Sequence, residues 1–187
     1  MTKFPSLKDH FLIAMPNLTD PNFFQSVTYV IEHNEEGAMG IVINHPLEVD
    51  LKELFDHLSI EVPADFAGKK KIMAGGPVQV ERGFIIHSPP GNWESTIKLS
   101  NDIAVTTSQD ILTAISKDQG PDDVELILGY AGWGAGQLDQ EILENSWLSV
   151  PSNSDILFHT PAKDRWKAAA KLIGVDINQL SAFAGHS

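Results

Sequence analysis

Residues 129–139 read GYAGWGAGQLD, the part of this chain whose residue types and spacing most openly invite chemistry. A dinucleotide cradle uses one glycine for the tight turn, a second where backbone approaches pyrophosphate, and a third where helix packs on strand. Gly132, Gly134 and Gly136 are spaced by two, and Leu138 and Asp139 stand where the last small residue belongs. Asp139 and Glu141 also fall in the first turn of the helix expected next, where a phosphate would meet the positive end of the helix dipole. Carboxylates there stabilise the helix and repel the ligand. No Gly-Lys-Ser or Gly-Lys-Thr occurs, so a P-loop is absent too. The stretch reads as a packing joint, with glycines for a positive-φ turn and close approach, and with Trp133 filling the core or roofing a pocket.

The remaining reactive residue types are scattered. The histidines are His10, His33, His45, His57, His87, His159 and His186, and no two have the i,i+4 or alternate-residue spacing of a local metal site. His33 and His87 end strand-like runs and His45 precedes Pro46, which favours bonds to carbonyls at a sheet edge. Ser26, Ser88, Ser100 and Ser108 are available, but none sits in a Gly-x-Ser-x-Gly elbow. His87-Ser88 and Glu32-His33 are adjacent pairs, and neighbours on a strand point to opposite faces. Arg82 is one of two arginines in an acidic chain, where a planar fork could hold a carboxylate or phosphate or pair with an internal acid. With Asn44, His45, Gly75, Gly76 and Trp133 it forms the set of loop and strand-end positions expected to border a cleft, and the fold could also bring two or three of His33, His45 and His87 to one rim. These spacings call for no metal and no cofactor.

Composition narrows the classes further. The chain has 187 residues, 42% of them hydrophobic and 20% charged, which suits one globular domain over 1–187. It has no cysteine, which removes disulfides and thiol chemistry and suits a reducing cytoplasm. Residues 1–15 carry too short and too polar an apolar cluster for a signal peptide, and no later run has the length of a membrane span. The net charge of −12, with 25 acids against 13 bases, argues against direct nucleic-acid binding, which is driven by lysine and arginine. Lys69-Lys70-Lys71 reads as a solvated guard at a strand entrance.

Elements must position these groups. Residues 27–33 and 38–44 are β-branched runs joined by Asn34-Glu-Glu-Gly37, a hairpin signal. Asp20-Pro21 is suited to start a helical turn. Asp50 is placed to cap a helix through about Leu58, and Ser108 or Thr107 one through about Lys117. Residues 71–76 and 82–88 read as strands around the sharp Gly75-Gly76-Pro77 connection, residues 92–101 as loop with room for a short strand in STIKLS, and 103–107 as a strand. Residues 124–133 form a strand apolar enough to be buried on both faces; with the helix expected over 136–144 it resembles half of a βαβ unit. Residues 147–150 and 155–158 read as short strands. Pro161 starts a last helix that turns Trp166, Ala169, Ala170 and Ile173 inward and ends at Gly174, and the closing residues suit one more helical turn.

Five blocks, FLIAMPNLTDPNFFQSVTYVIEHNEEGAMGIVINHP, GGPVQVERGFIIH, IAVTTSQDIL, GYAGWGAGQLDQEILENSWL and the closing GHS, resemble in order the sequence of the YqgE/AlgH family of bacterial proteins. The resemblance runs from Phe11 to His186. It departs at Asp139, where glutamate is expected, at Ser187, where alanine is, and at His159, where an acid is. It implies a single α/β (α+β) domain: a bent, mixed β-sheet, partly antiparallel and barrel-like, with about four flanking helices. The family's biochemical role is not established, although one branch is described as a transcriptional regulator of alginate production. The expectation is a non-enzymatic binding or regulatory protein acting on another protein or a small molecule, as a monomer or a homo-oligomer. The alternative is an enzyme or small-ligand-binding domain with a site near Arg82, His45 and Trp133.

Overall fold

A computed structural model of the chain describes residues 5–66, 68–176 and 179. Ten strands form one sheet: β1 (His10–Ala14), β2 (Val27–Asn34), β3 (Gly37–Val42), β4 (Pro46–Asp50), β5 (Lys71–Ala74), β6 (Val78–Ser88), β7 (Thr96–Lys98), β8 (Ala104–Thr106), β9 (Asp123–Trp133) and β10 (Trp147–Pro151). Their order is β10-β1-β2-β3-β9-β6-β8-β7, with β4 and β5 attached alongside β9. The pairing of β5 with β9 is parallel, and the other pairings among the described residues are antiparallel. The helices are α1 (Leu51–His57), α2 (Asp110–Ser116), α3 (Gln137–Leu143), α4 (Ser154–Phe158) and α5 (Arg165–Leu172). The sheet is bent and mixed, as expected.

The expected hairpin is present, with Asn34 opposite Gly37, because β-branched residues suit a half-buried pleat and the polar Glu35 and Glu36 suit its turn. Asp50 caps α1 through its side chain, which accepts from the Glu53 N–H at 2.9 Å. Other expectations are overturned. The strand β10 returns antiparallel to β1, so α3 is not the crossover of a βαβ unit. Residues 155–158 are helical because Asn153 accepts from the Ile156 N–H at 3.0 Å, and the three-residue apolar run Ile156-Leu157-Phe158 has no period of its own. With it the described residues hold five α-helices, in line with the about four expected. The turn expected at Asp20-Pro21 is present, closed by the Phe24 N–H donating to the Asp20 carbonyl at 2.8 Å. The helix α2 starts at Asp110 after Gln109, because the Ser108 hydroxyl is bound to Asp110 instead of capping a backbone N–H. Ile173 is exposed, since α5 ends before it turns inward. The closing turn and His186 lie outside the described residues.

The two sheet faces carry different cores. On the inner face Phe11, Ile13, Tyr29, Ile41, Phe84, Ile86 and Ile127 pack under α4 and α5, with Trp166, Ala169 and Ala170 facing in. The outer face has two separate clusters. Leu51, Phe55, Ile72, Ile85, Ile111, Leu112 and Leu126 lie under α1 and α2, while Leu12, Val30, Trp133, Leu138 and Trp147 lie under α3. The strand β9 serves both because its alternation is reset at Gly129, whose φ is 84°. Leu126 and Leu128 face α1 and α2, and beyond the glycine Ala131 and Trp133 face α3. Opposite Gly129, β6 makes an excursion: Val78 pairs with Tyr130 and Gly83 with Leu128, so residues 79–82 stand against one glycine.

Candidate functional site

The excursion in β6 borders an apolar groove of about 180 Å³ between α1, α2 and the sheet. Leu54 and Leu58 of the α1 end and Leu112 of α2 form its walls, and Ile85, Leu126 and Leu128 lie along its floor. Gly83 contributes the space: a Cβ built there would meet only Leu128 Cδ2, at 3.9 Å. A strand glycine with open space above its Cα leaves a notch that any larger residue would fill. The rim is polar, with Glu81 on one side and Thr107, Ser108 and Gln109 on the other. Ser108 is already engaged, since its hydroxyl donates to Asp110 Oδ1 at 2.6 Å and accepts from the Ser95 N–H at 3.0 Å. That hydroxyl, with the Glu94 and Ile111 N–H groups, holds the Asp110 carboxyl below its ordinary range. Glu81 has no hydrogen-bond or ion-pair partner among the described residues. Among the described residues no histidine lines the groove, and the one hydroxyl there with a carboxylate beside it, Ser108, spends its proton on Asp110.

The six residues expected to border a cleft separate into neighbourhoods. Asn44 is a strut: its Oδ1 accepts from the Val27 N–H and its Nδ2 donates to the Gln25 carbonyl, both at 2.9 Å. His45 donates from Nε2 to the Phe24 carbonyl at 3.1 Å, and its own carbonyl accepts from the Ala74 N–H at 2.7 Å. Burial pulls the His45 ring below its ordinary value, against that carbonyl. Gly75 and Gly76 are needed for close approach, since a Cβ would come within 2.2 Å of the Gly129 carbonyl oxygen and 2.3 Å of Tyr130 backbone, respectively. Arg82 lies near this region but on the exposed excursion, its guanidinium 5.0 Å from the Phe84 ring centre and 5.9 Å from that of Tyr130. It pairs with no carboxylate among the described residues, although an acidic chain offers many. Trp133 is on the outer face under α3, away from Arg82.

Trp133 and the opening motif belong to an aromatic joint. Trp133 stacks on Phe23 at 6.3 Å and meets Trp147 edge-on at 6.1 Å. Both indoles donate to Glu141 Oε1, at 3.1 and 3.0 Å, and Gln137 Nε2 donates to Oε2 at 2.9 Å. Asp139, beside it on α3, accepts at 3.2 Å from His33 Nε2, whose Nδ1 accepts from the Leu7 N–H at 2.9 Å. The acids that repel a phosphate at this helix are thus committed to indole and imidazole donors.

Two buried polar groups are structural in the same sense. Glu125 is fully buried and its Oε1 accepts from Arg165 Nη2 at 2.6 Å and lies 3.3 Å from Lys70 Nζ. Arg165 also donates to the Thr160 and Ile43 carbonyls. Lys70 is therefore drawn to a buried acid, a correction to its reading as a solvated guard. His87 is buried, and burial pulls its ring below the ordinary value, against the Pro89 carbonyl. Its Nδ1 donates to that carbonyl at 3.0 Å, so Nε2 accepts from the Thr106 hydroxyl at 2.7 Å. Among the described residues, no group of three or more histidines and carboxylates could hold a metal ion.

Of the groove residues, sequence reading weighed Ser108 as an available hydroxyl and placed none in the expected cleft. The nearest signal is Gly83, a glycine inside a strand otherwise rich in isoleucine and phenylalanine, which marks a place that packing leaves open.

The comparisons agree with this architecture. A family model described as DUF179: AlgH-like matches residues 11–178. A UPF0301 protein of Thioalkalivibrio sulfidiphilus is 54% identical over the whole of both chains, and one of Nitrosococcus oceani is 48% identical over 96% of each. The solution structure of the AlgH protein from Pseudomonas aeruginosa superposes with a TM-score of 0.80 at 45% identity, covering 97% of this chain and 96% of that one. A crystal structure of a Corynebacterium diphtheriae protein, 21% identical, shares the fold with a TM-score of 0.75, covering 97% of this chain and 94% of its own. The sequence blocks, the bent sheet and these relatives agree, and the chain belongs to the DUF179 AlgH-like family.

Proposed function

We propose that this chain is a non-enzymatic binding protein of the cytoplasm whose site is the groove between α1, α2 and the sheet. The observation that carries the reading is a preformed apolar notch over Gly83 with a polar rim whose Ser108 hydroxyl is held between Asp110 and the Ser95 N–H. Ligand sites are concave and mostly apolar, with a few polar groups to orient the ligand. No helix of the described residues is long and apolar enough to cross a membrane. The cytoplasm is inferred from a chain without cysteine. The test is twofold: small apolar probes should shift the NMR signals of Leu54, Leu112 and Leu128, and broad hydrolase and transferase panels should show no turnover. Turnover abolished by one polar substitution, or probes that leave those leucines unmoved, would overturn it.

A second reading, a small anionic ligand at Arg82, is favoured by one observation: the guanidinium is held on Phe84 and Tyr130 with no carboxylate partner among the described residues. Anion binding that is lost in Arg82→Ala would support it.

A further inference from the structure

Resting on the groove reading above, we infer that the ligand is a small amphipathic amine, an apolar body about the size of one phenyl ring carrying a primary ammonium group. Size comes first. An apolar protein cavity of about 150 Å³ takes one benzene molecule, and the groove measures about 180 Å³. It therefore accommodates one ring or a chain of comparable bulk with a short tether. Charge comes second. Glu81 is the charged residue among those that line the groove, and it lies at the mouth on the β6 excursion. It has no partner among the described residues. The adjacent arginine does not neutralise it, because Arg82 stacks on Phe84 and Tyr130, whose rings pack in the inner-face core.

A carboxylate at the lip of an apolar slot selects a cation whose remainder is apolar, and a net charge of −12 draws cations toward the surface and repels anionic isosteres. The opposite rim adds Thr107 and Gln109, side chains that can accept further ammonium hydrogens. Each part of the amine therefore has a counterpart, the ring over Gly83 and the ammonium at Glu81.

The experiment titrates the full chain with 2-phenylethylamine, with the neutral isostere 2-phenylethanol and with phenylacetate, read by NMR shifts and by intermolecular contacts between ring protons and the methyls of Leu112 and Leu128. The expected result is amine affinity about tenfold above the alcohol, the ratio that one charge-assisted hydrogen bond at a half-open rim produces, with phenylacetate weaker still. Glu81→Gln, an exposed position that leaves the fold intact, should remove the preference and keep the alcohol's affinity. Gly83→Val should abolish all three contacts. Equal affinity for amine and alcohol, or a preference that survives Glu81→Gln, overturns the amine inference and leaves the groove reading standing. No ring-proton contacts with Leu112 and Leu128 for any probe in the unsubstituted chain overturns both.

Discussion

Replacing Glu141 by alanine should cost far more than removing a glutamate from a short surface helix usually does. Its Oε1 accepts from the Nε1–H of Trp133 and of Trp147, and these indoles are only 6% and 2% exposed. Alanine leaves both donors buried without an acceptor, at about 1–3 kcal/mol each, so about 2–6 kcal/mol in all. Ordinary surface substitutions stay within about 0.5 kcal/mol. For a chain of this length the loss corresponds to a fall in Tm of roughly 2–4 °C per kcal/mol. Glu141→Gln keeps one carbonyl oxygen in place and should lose only part of this, because it removes the charge assistance and not the acceptor. The assay is urea unfolding followed by tryptophan fluorescence, with the two indole N–H resonances as a local report. The control is Trp133→Phe/Trp147→Phe, in which no indole donor remains; adding Glu141→Ala to it should cost less than about 1 kcal/mol. A single-variant cost below about 0.5 kcal/mol, or the same cost in both backgrounds, would refute the reasoning.

Arg165→Met should destabilise by about 3–5 kcal/mol, since it strips the closest cation from a fully buried carboxylate. Adding Glu125→Leu should recover part of the loss, and a urea midpoint for the double variant no higher than that of Arg165→Met alone would contradict this. His87 should titrate below 6.5, its ordinary value. The neutral ring is the folded form, so its contribution is full above the unfolded value near 6.5 and is lost as the pH falls toward the folded one; an imidazole NMR titration at or above 6.5 would reject it. His159 should titrate above 6.5, held there by Asp155 first and Asp123 second. Its contribution is present below the unfolded value and lost as the pH rises through the folded one, and Asp155→Asn should lower its titration. Gly129→Ala should cost more than Gly136→Ala: both have positive φ, but a Cβ at 129 would stand 2.7 Å from the Gly76 carbonyl and one at 136 meets nothing within 4 Å. Equal urea midpoints for the two would remove the steric argument.

The hairpin over residues 27–42 and the capped helix α1 were readable because their signals are local: a strand period, two turn residues and one aspartate three residues before its N–H partner. The helix α4 was not, because three apolar residues have no distinguishing period and Asn153, which makes the deciding bond, looks like an ordinary turn residue. The groove was hidden for a different reason. Its walls come from Leu54, Gly83, Leu112 and Leu128, each ordinary in its own element and brought together by pairings of β6 with β9. The same distance in sequence concealed Lys70, Glu125 and Arg165 as one buried network. Arg82 stood out by its rarity, yet its partners are aromatic rings. Sequence alone offers no means to choose between a ring and an acid two strands away.

Gly129 explains why the opening motif and the groove are neighbours in sequence and strangers in space. Strict alternation along β9 would carry the odd positions Glu125 and Ile127 onward to Ala131 and Trp133, placing the tryptophan in the inner core against α5. One residue at φ 84° shifts the parity, so Trp133 reaches the outer face where Glu141 of α3 is waiting. The excursion of β6 over residues 79–82 is the matching half of that irregularity, since the extra residues must bulge where the partner strand turns. That bulge is what lifts Glu81 to the lip of the groove and Arg82 onto its aromatic platform. A glycine that began as part of a suspected phosphate loop thus acts at a distance from any ligand. It splits the outer face into an aromatic joint closed by its own carboxylate and an apolar slot that remains open.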